Sequence, residues 1–166
     1  GDQQRVLKTF NTNFDVWFSE RSLHESGAVE HGLDELKKIY PEHYEELSVT
    51  KQYKLNPDYE VYRQNSNRIK VVVCEDDDVI VGYIVFFVSP HLHYKDCLMA
   101  VEDIYYLKPE YRKGSTGIKM FRFAEMYLKS VGVNMIKYST KTHLDNTRIF
   151  EYLNYSFIEK VFVKMI

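Results

Sequence analysis

Two glycines between an apolar strand pattern and a helical pattern mark the stretch of this chain best suited to bind a ligand. Gly114 and Gly117 let the backbone turn tightly and leave main-chain N–H groups uncovered by side chains. The N-terminus of the following helix adds a dipole that favours negative charge. Three basic side chains lie close by in sequence: Arg112, Lys113 and Lys119. The stretch therefore predicts an anion cradle of the kind that holds phosphates.

The same loop could be an ordinary connection, because a pair of glycines often joins a strand to a helix without any ligand. Two other phosphate-binding motifs are absent from the sequence. There is no Gly-Lys-Ser/Thr of a P-loop, and no Gly-x-Gly-x-x-Gly followed by an acidic ribose ligand. The order of the surrounding elements is what favours a ligand site over a plain connection.

The surrounding elements follow from hydrophobic spacing. Pro109 ends the preceding strand, because it has no N–H to donate and biases Lys108 towards extended geometry. After the loop, apolar residues recur three or four positions apart, which predicts a helix that ends at Gly132. The recurring residues are Ile118, Phe121, Ala124, Leu128 and Val131.

This arrangement resembles the central motif of the GNAT superfamily of acyl-CoA N-acyltransferases. The family motif reads Arg or Gln, two free positions, Gly or Ala, one free position, and Gly or Ala. Here it falls on residues 112–117, with Ser115 in the first small position and Gly114 one residue early. Gly82-Tyr83 matches a further feature, common at the start of the family's third strand. The resemblance covers residues 69–166.

Several shorter stretches are similar to the GNAT proteins encoded by tailed bacteriophages. They are Pro-Glu-His-Tyr-Glu-Glu at 41–46, Asn-Pro-Asp-Tyr at 56–59, Pro-His-Leu-His-Tyr at 90–94 and Glu-Tyr-Leu-Asn-Tyr at 151–155. For a phage protein, the place of action would be the host cytoplasm.

The resemblance implies an α/β fold (α+β in some schemes) built on a mixed, mostly antiparallel sheet. One parallel pair of strands would splay apart, with helices on both faces. At 166 residues, the chain is predicted to form a single domain over 1–166. An N-terminal arm and helices would occupy 1–60, and the CoA-binding core 69–166. Strands are predicted at 69–75, 79–89, 98–107, 133–139 and 155–165, and a short helix capped by Asp145 before the last of them.

Acetyl-CoA is the acetyl donor that the resemblance implies. In the family, main-chain N–H groups of the central loop hold the pyrophosphate, and those at the end of the preceding strand hold the acetyl carbonyl. Asn146 is a further candidate contact, offset from the family's usual asparagine. The implied cofactor-binding residues are Tyr106, Leu107, Arg112, Lys113, Gly114, Ser115, Thr116, Gly117, Ile118 and Asn146.

Attack by an amine requires a general base. Counting back without gaps from Pro109 places Asp103 where some family members carry a strand acid. Glu102 is adjacent and, by strand alternation, points to the opposite face, unless a β-bulge exchanges the two. Asp103 is favoured and Glu102 comes next, although either could be a strand acid paired to a nearby base. His93, with a reference pKa of about 6.5, is a third candidate in the loop 90–97.

The leaving thiolate needs a proton, which many family members supply from a tyrosine on the helix after the fifth strand. That position is Phe150 here, and a phenyl ring cannot donate a proton. Tyr152, two residues on, could replace it only in a shifted register. Protonation by solvent is the alternative.

No metal site is expected. Cys74 and Cys97 have no metal-ligand spacing, and the acidic run 76–78 is typical of a solvated turn. His91 and His93 form a His-x-His spacing that is weak evidence for a metal on its own.

The bulk composition excludes several classes of function. A net charge of −2 gives no general attraction to nucleic acid or to acidic membranes. No apolar run is long enough to span a membrane, and no signal-peptide h-region is visible. Two cysteines without a disulfide framework favour a cytoplasmic protein.

The sequence thus predicts an acetyl-CoA-dependent N-acetyltransferase acting on a primary amine by direct attack in a ternary complex. The acceptor could be a polyamine, an aminoglycoside-like molecule, a lysine or N-terminus of a protein, or an amino-modified nucleobase. A homodimer is possible. The alternative is a catalytically silent GNAT-fold module that binds CoA or a protein, in which Ser115 and Phe150 mark lost chemistry.

Overall fold

A computed structural model describes residues 58–65, 67–76, 79–142 and 144–164 of the chain. The predicted N-terminal arm and the helices before residue 58 lie outside these residues, as do two residues of the predicted acidic turn. The described elements, in chain order, are α1 Tyr59–Gln64, β1 Ile69–Asp76, β2 Val79–Pro90, β3 Leu98–Leu107, a 3-10 turn Pro109–Tyr111, α2 Thr116–Ser130, β4 Met135–Lys137 and α3 Thr147–Tyr152.

The four described strands form one sheet in the order β1-β2-β3-β4. β1, β2 and β3 are antiparallel neighbours, and β4 runs parallel to β3. The predicted mixed, mostly antiparallel sheet with one parallel pair is therefore confirmed. β2 lies inside the sheet and is apolar along nearly its whole length, as a strand covered on both faces requires.

Each face of the sheet has its own apolar cluster. On one face, Ile84 and Phe86 of β2 pack with Phe121 and Leu128 of α2 and with Phe150 of α3. On the other face, a smaller cluster joins β2 and β3 to Tyr62 of α1; its buried members are Tyr83, Val85 and Tyr106. The faces therefore have different neighbours, so the face on which a strand residue lies decides what it can contact.

A fork opens between the parallel strands. Pairing between β3 and β4 ends at Val101 and Lys137, although β3 continues to Leu107. Beyond this point, the edge of β3 has no strand partner among the described residues on the β4 side. The second half of β3 thus has no β4 partner on this edge, which fits the predicted splayed pair.

A β-bulge interrupts β3 next to this fork. Val85 pairs with Ile104 and Phe86 pairs with Glu102, which leaves Asp103 as the extra residue. Because of the bulge, Glu102 lies on the face of the sheet that α2 covers, together with Tyr105 and Leu107 further along β3. Asp103 lies on the other face, where Tyr62 donates a hydrogen bond of 3.5 Å to its Oδ2.

The predicted closing strand at 155–165 is wrong for the described residues 155–164, which form no strand. Lys137 forms an ion pair with Glu159, so the segment lies beside β4 without pairing to it. Its apolar residues are not in strict alternation, because they come in adjacent groups. Such a pattern gives the segment no single apolar face to bury, and its larger side chains are 73% to 92% exposed: Phe157, Ile158, Val161, Phe162 and Val163.

Candidate active site

A cleft of about 250 Å³ lies at the fork. The second half of β3 forms one wall, and the start of α2 with the glycine loop forms another. The chain from Ser139 to the start of α3 closes the third side. The cleft is mostly apolar, with polar groups at a few points, as is typical of a ligand site.

The glycine loop delivers the N-terminus of α2 to one end of the cleft. Gly114 has a φ of +86°, a conformation that side chains disfavour, and a Cβ there would meet open space. Ser115 is the N-cap residue, but its side chain makes no capping bond, and the first turn holds no acidic residue. The main-chain N–H of Lys119 donates to the Ser115 carbonyl, whereas the N–H groups of the first turn of a helix have no intrahelical acceptor. Gly114, Gly117 and Ile118 line the cleft, which is the geometry of an anion cradle.

Arg112 ties this loop to the end of β3. Its Nε donates a hydrogen bond of 2.7 Å to the Leu107 carbonyl, and the guanidinium lies 5.3 Å from the centre of the Tyr106 ring. The side chain also lines the cleft. The arginine predicted to bring charge to the loop therefore also fixes the strand end.

The end of β3 is held from the other side by β2. The Lys108 N–H donates to the Val81 carbonyl at 2.8 Å. Main-chain N–H groups alternate in direction along a strand, so the Leu107 N–H is directed away from β2, towards the fork. Tyr106 and Leu107 are both buried and line the cleft.

Glu102 is the acidic residue that lines the cleft. Its side chain is only 7% exposed, and its Oε2 accepts hydrogen bonds from the Ser139 N–H at 3.0 Å and the Ser139 hydroxyl at 2.8 Å. Burial raises the pKa of Glu102, while the two Ser139 bonds and the charge of Lys141 oppose this shift. A carboxyl group of raised pKa in a cleft is suited to exchange protons nearer neutral pH.

This raised pKa makes stability depend on pH. The folded protein holds the Glu102 proton more tightly than the unfolded chain. The stabilisation is therefore fully present below the ordinary glutamate pKa of about 4.3 and is lost as pH rises through the raised value. Thermal melts from about pH 4 to about pH 8 should show a steeper decline for the parent than for Glu102→Gln. Equal slopes would contradict this account of Glu102.

Two other predicted bases lie outside the cleft. Asp103 is exposed on the opposite face of the sheet. His93 is exposed in the loop that precedes β3, and its main-chain N–H donates to Nδ1 of His91 at 3.0 Å. That loop joins the start of β3, whereas the cleft lies along its second half.

Two tyrosines line the cleft: Tyr106, which the resemblance implied, and Tyr105, which was not among the predicted site residues. Phe150, at the family's tyrosine position, is buried in the core. Tyr152 is 60% exposed, lies 5.7 Å from the Arg122 guanidinium, and does not line the cleft. The bulge places Tyr105 on the same face of the sheet as Glu102, whereas strict alternation would place the two side chains on opposite faces.

Asn146 lines the cleft and is the N-cap residue of α3. Its Nδ2 donates to the Tyr105 hydroxyl at 2.8 Å, and its main-chain N–H donates to the Thr140 hydroxyl at 2.8 Å. The N-cap is thus one residue later than predicted. Asp145 instead accepts hydrogen bonds from the main chain and hydroxyl of Thr147.

The described residues hold neither a metal-binding cluster nor a membrane-spanning helix. No group of three His, Cys, Asp or Glu side chains there could hold a metal ion. No helix in the same ranges is long and apolar enough to cross a membrane.

The sequence profile of the Acetyltransferase (GNAT) family matches residues 33–153. The chain belongs to this family. The match takes in the whole cleft, from Glu102 to Ile149, and all four described strands.

Solved structures share the GNAT fold at low sequence identity. An aminoglycoside acetyltransferase from an uncultured soil metagenomic sample, in complex with sisomicin, is 16% identical, with a TM-score of 0.61 over 81% of this chain and 86% of that one. Glucosamine-6-phosphate N-acetyltransferase from Arabidopsis thaliana is 15% identical, with a TM-score of 0.62 over 80% and 92%. A putative acetyl transferase from Pyrococcus furiosus is 16% identical, with a TM-score of 0.62 over 82% and 95%. At these identities the likeness shows the fold alone.

A short segment is also similar to part of a much longer protein. It is 51% identical over 35 residues to the arginine–tRNA ligase of Moorella thermoacetica. The segment covers 21% of this chain, and the chain spans only 6% of the length of that curated relative.

Proposed function

We propose that this GNAT protein transfers an acetyl group from acetyl-CoA to a primary amine by direct attack, within a single acetyltransferase domain. The supporting observation is one continuous cleft that joins a helix N-terminus to a buried carboxylate. An anionic donor and a reacting amine could meet along such a cleft. The short stretches similar to phage-encoded proteins lead us to propose that subgroup as well.

The donor's pyrophosphate is assigned to the main chain of residues 112–118. The missing side-chain cap at Ser115 and the absence of acids in the first turn of α2 support this assignment. The acetyl carbonyl is assigned to the Leu107 N–H on the open edge of β3, next to Tyr106. A fixed N–H group there stabilises negative charge that develops on the carbonyl oxygen. The donor supplies the activated acetyl group.

Glu102 is the proposed general base. An amine acceptor must lose a proton to attack, and the carboxylate within the cleft is placed to receive it. Ser139 holds one carboxylate oxygen with two hydrogen bonds, which fixes the side chain across the fork. Asp103 and His93 lie elsewhere and rank behind it.

A small cationic amine is the proposed acceptor class. The Glu102 carboxylate lines the cleft and favours a positively charged acceptor there. The panel for a thiol-release assay is a polyamine, an aminoglycoside, and peptides with a free N-terminus or lysine. Turnover on none of these, with acetyl-CoA still bound, would favour the silent CoA-binding module instead.

Isothermal titration with acetyl-CoA tests the donor site. In Gly117→Trp, the indole should occupy the cleft, because this glycine lines it and faces Leu107. We expect the Kd to rise at least about tenfold, which corresponds to roughly 1.4 kcal/mol. Lys129→Trp is the matched control, since Lys129 is exposed in the last turn of the same helix. Its Kd should equal that of the parent.

Two results would count against the proposal. A folded parent that fails to bind acetyl-CoA would remove the acetyltransferase function. Binding that Gly117→Trp leaves unchanged would show that the donor lies elsewhere.

A further inference from the structure

The aromatic wall of the cleft contains a phenol placed for chemistry. Tyr105 lies on β3, on the same face of the sheet as Glu102, and both line the cleft. Its ring meets Phe121 edge-on, with centroids 5.3 Å apart, and Phe150 edge-on at 6.2 Å. Both neighbours are buried, so the ring has little freedom to turn away.

The hydroxyl of Tyr105 is held by an incoming hydrogen bond. Asn146 Nδ2 donates to it at 2.8 Å and also to the Leu144 carbonyl at 3.3 Å. The phenol oxygen accepts this hydrogen bond from the amide, and the hydrogen of the phenol is not used in it. The Thr140 hydroxyl, which donates its own hydrogen to the Leu144 carbonyl at 3.2 Å, also interacts with the Tyr105 hydroxyl, and so do the charges of Glu102 and Asp145.

The same contacts would stabilise the phenol after it lost its proton. Burial raises the pKa of Tyr105, and the charges of Glu102 and Asp145 add to this effect, while the hydrogen bonds with Asn146 and Thr140 oppose it. The phenol therefore stays protonated at neutral pH, as a proton donor must. Thr140 also accepts the Asn146 N–H at 2.8 Å, which keeps the amide in position.

We propose that Tyr105 is the general acid that protonates the leaving thiolate, a role that the helix residue Phe150 cannot fill. This inference rests on the proposed acetyl transfer. The amine nitrogen bonds to the acetyl carbon and gives up a proton to Glu102, and the carbon–sulfur bond breaks with its electron pair on sulfur. The Tyr105 hydroxyl gives its proton to that sulfur, and solvent returns a proton to the phenolate.

Tyr105→Phe removes this proton donor and keeps the ring. We expect kcat to fall about 100-fold, within the range for loss of a general acid. The KM for acetyl-CoA should stay within about twofold. In the parent, activity should decline at high pH as Tyr105 ionises, and the variant should lack this decline.

A binding measurement distinguishes proton donation by Tyr105 from a role of its ring in core packing. If the phenol faces the sulfur, CoA should bind the parent about three- to tenfold more tightly than desulfo-CoA, the range of one hydrogen bond. This difference should disappear in Tyr105→Phe. Tyr138→Phe is the matched control, because Tyr138 packs in the same aromatic cluster without lining the cleft. It should leave kcat and the affinity difference unchanged.

The outcomes are distinct. An unchanged kcat in Tyr105→Phe would make Tyr105 a core residue and overturn the proposal. A lower kcat with the affinity difference intact would also overturn it, because the effect would then come from packing. Failure of the parent to bind acetyl-CoA at all would instead overturn the proposed function.

Discussion

Replacing Glu102 by glutamine is expected to lower kcat roughly 100- to 10,000-fold, the loss typical of a missing general base. The fold should be retained, because a glutamine carbonyl oxygen can accept the two hydrogen bonds that Ser139 donates. The KM for acetyl-CoA should change little, since the lost interaction concerns the amine proton. Steady-state assays of thiol release on the best amine of the panel would measure this effect.

Asp103→Asn is the matched control for this experiment. It removes one carboxylate from the neighbouring residue, which is exposed on the opposite face of the sheet. Its kcat should stay within about threefold of the parent, as for a surface substitution remote from the reacting atoms. A large loss in Asp103→Asn with a small one in Glu102→Gln would reverse the assignment, and would return the base to the residue that the sequence favoured.

The pH profile gives a second test of Glu102. Burial raises its pKa, so the base stays protonated, and inactive, to a higher pH than an ordinary glutamate. Parent activity should rise with pH as this proton leaves. In Glu102→Gln, the residual activity should lack that rise. A rise that persists unchanged in the variant would mean that another group titrates.

The second large effect is expected at Gly82, the residue of β2 opposite Leu107. A Cβ on Gly82 would lie 2.8 Å from Cδ1 of Leu107 and 2.9 Å from the carbonyl oxygen of Tyr106. Valine adds two further methyl groups to this contact. We expect Gly82→Val to reduce the free energy of unfolding by about 3 kcal/mol, the upper end for an overpacked site.

This substitution should also weaken acetyl-CoA binding. The strain falls on the Tyr106–Leu107 backbone, which must move away from β2 and thereby into the cleft. Urea unfolding and isothermal titration on the same samples would measure both effects. Gly117→Ala is the control for stability, because its Cβ would meet only Leu107 Cδ2 at an ordinary 3.8 Å. A Gly82→Val protein as stable as the parent would show that the strands can separate freely at this point.

Local sequence patterns were enough to predict most strands and helices of the core, whereas the arrangement of the sheet was implied by the family resemblance. The continuous apolar run of β2, the break at Pro109 and the three-to-four spacing of α2 each depend on residues close together in the chain. The glycine loop was likewise located from its composition. The structure places that loop at the helix N-terminus and along the cleft.

The closing strand shows where such patterns fail. Residues 155–164 carry many apolar side chains, yet they form no strand. A strand forms only when its backbone finds a partner edge and its apolar side chains find a common face to bury. The lack of a common apolar face is visible in the segment's adjacent apolar groups, whereas a partner edge cannot be read from residues within the segment.

The sequence by itself determined most of the elements that form and located the glycine loop before the helix, because spacing and glycine content act locally. Only the tertiary structure decided which strand residues face the cleft. One bulge places Glu102 and Tyr105 on the cleft side and Asp103 on the other. The bulge depends on pairing between β2 and β3, and an extra residue in a ladder reverses the faces beyond it. The partners that hold these groups, Ser139 and Asn146, lie more than thirty-five residues away in the chain and meet them only through the fold.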